Sequence, residues 1–159
     1  DGNLYMSTPR GYFGIGVYRP KCEDNIGTLW RSAYQLGASY IFTVGARYKR
    51  QRSDTVGCSR HVPMFHYGSF DDLVSHLPVE ATLVALEHGG GALVDFKHPQ
   101  RAVYLLGAED DGLPGEVLAR VKHVVTIPAV RTISFNVAMA GSICLYDRWL
   151  KQQEGGYGK

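Results

Sequence analysis

The chain has 159 residues, 45% of them apolar and 20% charged, with a net charge of +2. That is one domain with room for one sizeable core, and it excludes collagen-like, low-complexity and disordered chains, while so small a net charge does not by itself establish a nucleic-acid partner. No apolar run approaches the ~20 residues of a membrane-crossing helix, and Cys22, Cys58 and Cys144, odd in number and without a CxxC pair, suit reduced thiols in a cytoplasmic protein better than a disulfide framework.

In chain order, YFGIGVY (12–18) reads as a strand, 25–36 as a helix and YIFTV (40–44) as a second strand, a βαβ start that predicts a parallel sheet. SFDDLVSHL carries Ser69 with Asp72 three places on, the signature of a capped short helix. ATLVALE (81–87) and AVYLLG (102–107) are nearly unbroken apolar runs, as buried strands are. GLPGEVLARV reads as a short helix with Pro114 near its start, HVVTI as the last strand and 136–153 as the last helix. The expectation is a single domain over 1–159, with 1–10 and 154–159 flexible. On the last helix Ala138, Gly141 or Ser142, Leu145 and Trp149 share a face, with Val137, Ala140 and Cys144 beside it. An arc that wide means a fully buried helix or one shared with a partner subunit.

Ligands of parallel α/β sheets bind beyond the carboxyl ends of the strands. Four strand ends stand out, RPKCEDNIGTLWR, EHGGGALVDF, GAEDDGLPG and PAVRTISFN, and three of them combine glycine with polar groups. A nucleotide-like ligand needs that combination if backbone groups are to reach its ring edges. HGGG (88–91) is superficially like an esterase oxyanion segment, but no G-x-S-x-G elbow exists to supply a nucleophile. GYFGIG lies within the first strand, where a dinucleotide fingerprint cannot function. Cys58, His61 and His66 match no familiar zinc spacing, so no metal is expected. The loop ARYKRQRSDTVGCSR gathers Arg47, Lys49, Arg50, Arg52 and Arg60 around Tyr48 against Asp54 alone. It reads either as a phosphate-binding, base-stacking RNA contact or as a solvated loop.

Three separated stretches, NIGTLWR (25–31), LLGAEDDGLP (106–114) and IPAVRTISFNVAMAG (127–141), together resemble the motifs of the SPOUT class of RNA methyltransferases, in its SpoU/TrmH-like branch. TVGCSRHVP (55–63) resembles the segment before that family's third strand. The resemblance runs from about residue 13 to 150 and implies an α/β fold: a mostly parallel sheet flanked by helices, with a C-terminal trefoil knot (SPOUT fold) holding S-adenosyl-L-methionine. It implies a homodimer packed through the last helix, a role that the small residues from Ala138 to Ser142 would suit.

Carried over by motif, Arg31, Asn25, Glu109, Ser134 and Asn136 become the catalytic set. Leu86, Glu87, Gly107, Ala108, Gly112, Ile127, Pro128, Ile133 and Ser134 become the cofactor walls, and the loop between Ile127 and Ser134 is one residue shorter than the family pattern. The implied reaction moves a methyl group from a sulfonium to a ribose 2′-hydroxyl. Arg31 would stabilise the developing alkoxide and Glu109 would anchor Arg31 or Asn25. The short chain resembles members acting on the tRNA wobble ribose, with other tRNA positions and rRNA open. A catalytically silent RNA-binding module and a small-molecule transferase are the rival readings.

Overall fold

The computed structural model describes residues 11–49 and 57–156, the side chains of 154–156 excepted. The expected flexible end at 1–10 lies outside the described residues, as do Arg50 and Arg52. In chain order the elements are β1 (Tyr12–Tyr18), α1 (Glu23–Gln35), β2 (Tyr40–Val44), β3 (Met64–Tyr67), α2 (Phe70–Ser75), β4 (Thr82–Ala92), β5 (Arg101–Leu106), α3 (Gly115–Leu118), β6 (His123–Thr126) and α4 (Val137–Gly156). The strands form one sheet in the order β3-β2-β1-β5-β4-β6, and every pairing in it is parallel.

Alternation along β1 sorts the two cores. Phe13, Ile15 and Val17 point to the face that α1 and α4 cover, where they meet Leu29, Tyr104 and Leu145. Gly14 and Gly16 point the other way, and side chains there are excluded: a Cβ on Gly14 would sit 2.4 Å from the Tyr40 ring and one on Gly16 2.4 Å from Phe42. Those two rings therefore lie over β1 and join Leu73, Leu83, Leu105 and Val117 in a second core under α2 and α3. The glycines that imitate a dinucleotide fingerprint are a packing device.

Several boundaries differ from the sequence reading. Helix α1 begins two residues earlier, at Glu23. HGGG is not a loop, because β4 continues through it to Ala92 with a register shift against β6 between Leu86 and Gly91. Gly90 makes the close approach possible, since a Cβ there would lie 2.3 Å from Val124 O. Helix α3 is a single turn after Pro114, and α4 runs on to Gly156 where an end near 153 was expected. Ser69 does cap α2, its hydroxyl accepting from the Asp72 N–H over 3.1 Å. Among the described residues no helix is long and apolar enough to cross a membrane.

Candidate active site

Beyond the carboxyl ends of β4, β5 and β6 the chain encloses a cleft of about 300 Å³, within the range of small-molecule sites. Its floor is apolar (Leu86, Leu106, Val125, Ile127) and its rim carries Glu87, Glu109, Asp110 and Asp111. The loop after β5 can fold back tightly because it has no side chain at two points. A Cβ on Gly107 would meet Gly112 C at 2.4 Å, and Gly112 sits at φ +64° with the Glu87 carboxylate against it. Glu87 clasps this loop, its Oε2 accepting from the Leu113 N–H at 2.8 Å and its Oε1 from the His88 N–H at 2.9 Å.

Glu109 reaches from the same loop to the start of α1, whose N-cap residue Cys22 offers no side-chain cap. Its carboxylate accepts from the backbone N–H groups of Lys21 (3.2 Å) and Cys22 (3.3 Å) and from Asn25 Nδ2 (2.9 Å). Asn25 Oδ1 in turn accepts from Asn136 Nδ2 at 2.9 Å, and Asn136 Oδ1 caps α4 through the Met139 N–H at 3.2 Å. One hydrogen-bonded chain thus joins all three sequence motifs. Burial alone would raise the Glu109 pKa, but the bonds from Asn25 and the backbone outweigh it and hold the carboxyl below its ordinary range. Glu109 therefore caps α1 and fixes Asn25; among its hydrogen bonds there is none to Arg31.

Of the residues expected to hold a cofactor, Leu86, Glu87, Gly107, Ala108, Gly112, Ile127 and Ser134 line the cleft. Pro128 instead lines a separate apolar groove, and Ile133 is 83% exposed. Arg31 is exposed on α1 and is not among the lining residues. Sequence reasoning missed His88, whose Nε2 lies 2.7 Å from Ser134 Oγ and ties β4 to the loop before α4. It also missed Thr126, which accepts from the Gly90 N–H and donates to Glu87 O. A polar residue directly after the apolar run 81–87 and another at the end of HVVT were the available signals. Cys58, His61 and His66 are engaged separately: Cys58 is buried, His61 stacks on Tyr34, and His66 Nδ1 meets Thr43 Oγ1 at 3.0 Å. Among the described residues no three potential ligands cluster for a metal.

Two of the small residues of α4, Ala138 and Gly141, pack within the chain. A Cβ on Gly141 would meet Leu29 at 2.5 Å, with Leu106 and Ile15 just beyond. Ala138 is 1% exposed. These two positions bring α4 down onto α1 and β1 of the same chain, while Ala140 and Ser142 stay half-buried. The outward face carries Met139, Tyr146 and Leu150, 53%, 53% and 41% exposed. Beside it runs the apolar groove of about 610 Å³, lined by Leu93, Val94, Pro128 and Ile143 among others.

A protein of Streptomyces viridochromogenes described as a 23S rRNA (uridine(2479)-2'-O)-methyltransferase is 30% identical over 149 residues, which cover 86% of this chain and 52% of that one. The chain thus spans about half the length of this curated relative. The crystal structure of the SpoU methyltransferase AviRb from the same organism, in complex with AdoMet, matches with a TM-score of 0.81 and 26% identity, covering 92% of this chain and 62% of that one. A structure described as giving insights into the 2-OH methylation of C/U34 on tRNA matches with a TM-score of 0.80 and 26% identity, over 91% of this chain and 98% of that one. The model of the SpoU rRNA methylase family matches residues 13–146. Because that match takes in all three motifs and most of the sheet they adorn, this chain belongs to the SpoU rRNA methylase family.

Proposed function

We propose that the chain is an RNA 2′-O-ribose methyltransferase that uses S-adenosyl-L-methionine. The observation that carries this is the Glu109–Asn25–Asn136 chain standing beside the acidic, glycine-walled cleft. The cleft fits the cofactor on three counts: apolar side chains for the faces of an adenine, glycines that open backbone groups to its edges, and carboxylates near a cationic sulfonium and ammonium. When bound, the cofactor supplies an already activated methyl group.

The protein's share is then alignment and electrostatics. Asn25 and Asn136, locked by Glu109, hold the mouth of the cleft in shape, and His88 fixes Ser134 at its wall. Arg31 meets the RNA from the solvent side of α1, binding a phosphate and the nascent 2′-oxyanion. A guanidinium keeps its proton, so the hydroxyl proton leaves to phosphate or water.

The C-terminal segment would be threaded as the family's trefoil knot, β6 being laid outside β4 before α4 returns over α1. The outward face of α4 would be the seam of a homodimer, and the protein would work in the cytoplasm. tRNA is the proposed substrate, with the wobble ribose as the target, since the relative associated with C/U34 of tRNA is matched over nearly its whole length. Ribosomal RNA is the second reading, favoured by the curated relative.

Incubating total tRNA and rRNA with methyl-labelled cofactor, followed by nucleoside mapping, tests both. Arg31→Ala is expected to bind S-adenosylhomocysteine normally in calorimetry and to lose turnover. Undiminished methylation by that variant would remove Arg31 from the mechanism.

A further inference from the structure

The two described ends of the loop between β2 and β3 both pack on α1, where they meet Glu23, Trp30 and Tyr34. At the leaving end Tyr48 packs edge-on against Trp30, ring centroids 5.9 Å apart, and the Lys49 backbone N–H donates to Glu23 Oε1 over 3.0 Å. At the returning end the buried Trp30 indole N–H donates to Val62 O over 2.8 Å, and Cys58 and Val62 are themselves buried. The turn Cys58–Arg60 is thereby fixed to the helix, and the next residue, His61, lays its ring on Tyr34 with centroids 5.1 Å and planes 22° apart.

A covered stack would offer no face to a ligand. Tyr34 instead stays 40% exposed, and His61 is exposed too. Arg31, one turn before Tyr34 on the same side of α1, and Arg60, next to His61, are both exposed. An open aromatic pair with an exposed arginine neighbouring each partner in the chain matches the needs of single-stranded nucleic acid: a π-face for an unpaired base and cations for the phosphates beside it. Double-stranded RNA offers no free base face for such a surface.

We infer that Tyr34 and His61 form a stacking shelf for an unpaired RNA base next to the nucleotide being methylated, with Arg31 and Arg60 on the flanking phosphates. This rests on the methyltransferase reading above, and the experiment separates the two. Binding is measured by fluorescence anisotropy with a labelled RNA hairpin carrying an unpaired loop, and with the same hairpin made abasic through the loop. Calorimetry with S-adenosylhomocysteine and light scattering accompany each variant.

Tyr34→Ala and His61→Ala should weaken the intact hairpin roughly tenfold, whereas Tyr34→Trp keeps its affinity. The wild type should bind the abasic hairpin as weakly as Tyr34→Ala binds the intact one, and Tyr34→Ala should lose little more on the abasic RNA. Cofactor heat and oligomer mass should not change. Equal affinity of wild type and Tyr34→Ala for the intact hairpin overturns the shelf. So does an equal abasic penalty in both proteins, and a changed oligomer mass assigns the pair to a contact between copies instead. A wild type that shows the abasic penalty and yet transfers no methyl group keeps the shelf and removes the methyltransferase reading.

Discussion

Glu109 sits in a motif that reads as catalytic, yet its visible work is to cap a helix that lacks a capping side chain of its own. That assignment has a pH signature. A carboxyl whose folded pKa is depressed contributes fully above its unfolded value, near ~4.3 for Glu, and the contribution is lost as pH falls through the lower folded value. Wild type should therefore exceed Glu109→Gln in urea midpoint at neutral pH, with the gap closing as the pH is taken below the carboxylate range. A gap independent of pH would mean that the charge is not what matters. Gly107 makes a sharper case, because the atoms a methyl group would strike are backbone: Gly112 C at 2.4 Å and Leu113 N at 2.7 Å. Gly107→Ala should deform the cleft wall and weaken S-adenosylhomocysteine binding by roughly tenfold, about 1.4 kcal/mol, in calorimetry. Both residues could be picked out in the sequence. The resemblance offered Arg31 or Asn25 as the partner of Glu109, and the fold selects Asn25, 84 positions away.

At the scale of the element, α4 shows the limit of reading faces from periodicity. The spacing of Ala138, Gly141 and Leu145 located the buried stripe, but Arg148, a charge expected in water, continues that stripe at 0% exposure. It donates to Pro99 O at 2.6 Å, Gln100 O at 3.0 Å and the Tyr104 hydroxyl at 3.0 Å, and its guanidinium lies 4.4 Å from the Phe13 ring centre. Tyr104 then donates to His98 Nδ1 and His98 Nε2–H to Asp147, each over 2.7 Å, with the Asp147 carboxylate also held by Lys151 at 2.8 Å. Burial keeps His98 below its ordinary pKa despite Asp147, which fits the neutral ring that this pattern needs. The network pins the C-terminal half of α4 as Asn136 pins its beginning. Arg148→Met fills similar space and strands two carbonyls and a phenol, so chemical denaturation should show a loss of about 3 kcal/mol. A loss under ~1 kcal/mol would mean that water replaces the guanidinium.

For the whole molecule, the parallel sheet brings the ends of β4, β5 and β6 to one edge, and the cleft exists only there. The outward face of α4, with Met139, Tyr146 and Leu150 at helical spacing, is apolar and open in the single chain. If it is the dimer seam, Tyr146→Asp should shift the protein to monomer in sedimentation and lower methylation, with monomer stability changed by less than ~0.5 kcal/mol. A dimer that survives the substitution would put the seam elsewhere.

The sequence by itself determined the local periods, and with them five of the six strands, the main helices and three motifs in order, because apolar spacing and turn chemistry are written in neighbouring residues; the short β3 (Met64–Tyr67) has too few residues to show a period. Only the tertiary structure decided which of those residues meet. It made Glu109 the cap of α1, turned Gly141 of α4 inward onto Leu29, left Ile133 in solvent and brought His88 to Ser134. Asn25 and Asn136 lie 111 positions apart and bond at 2.9 Å. A contact over that separation is set by how the sheet closes and the last helix packs, which no local pattern encodes.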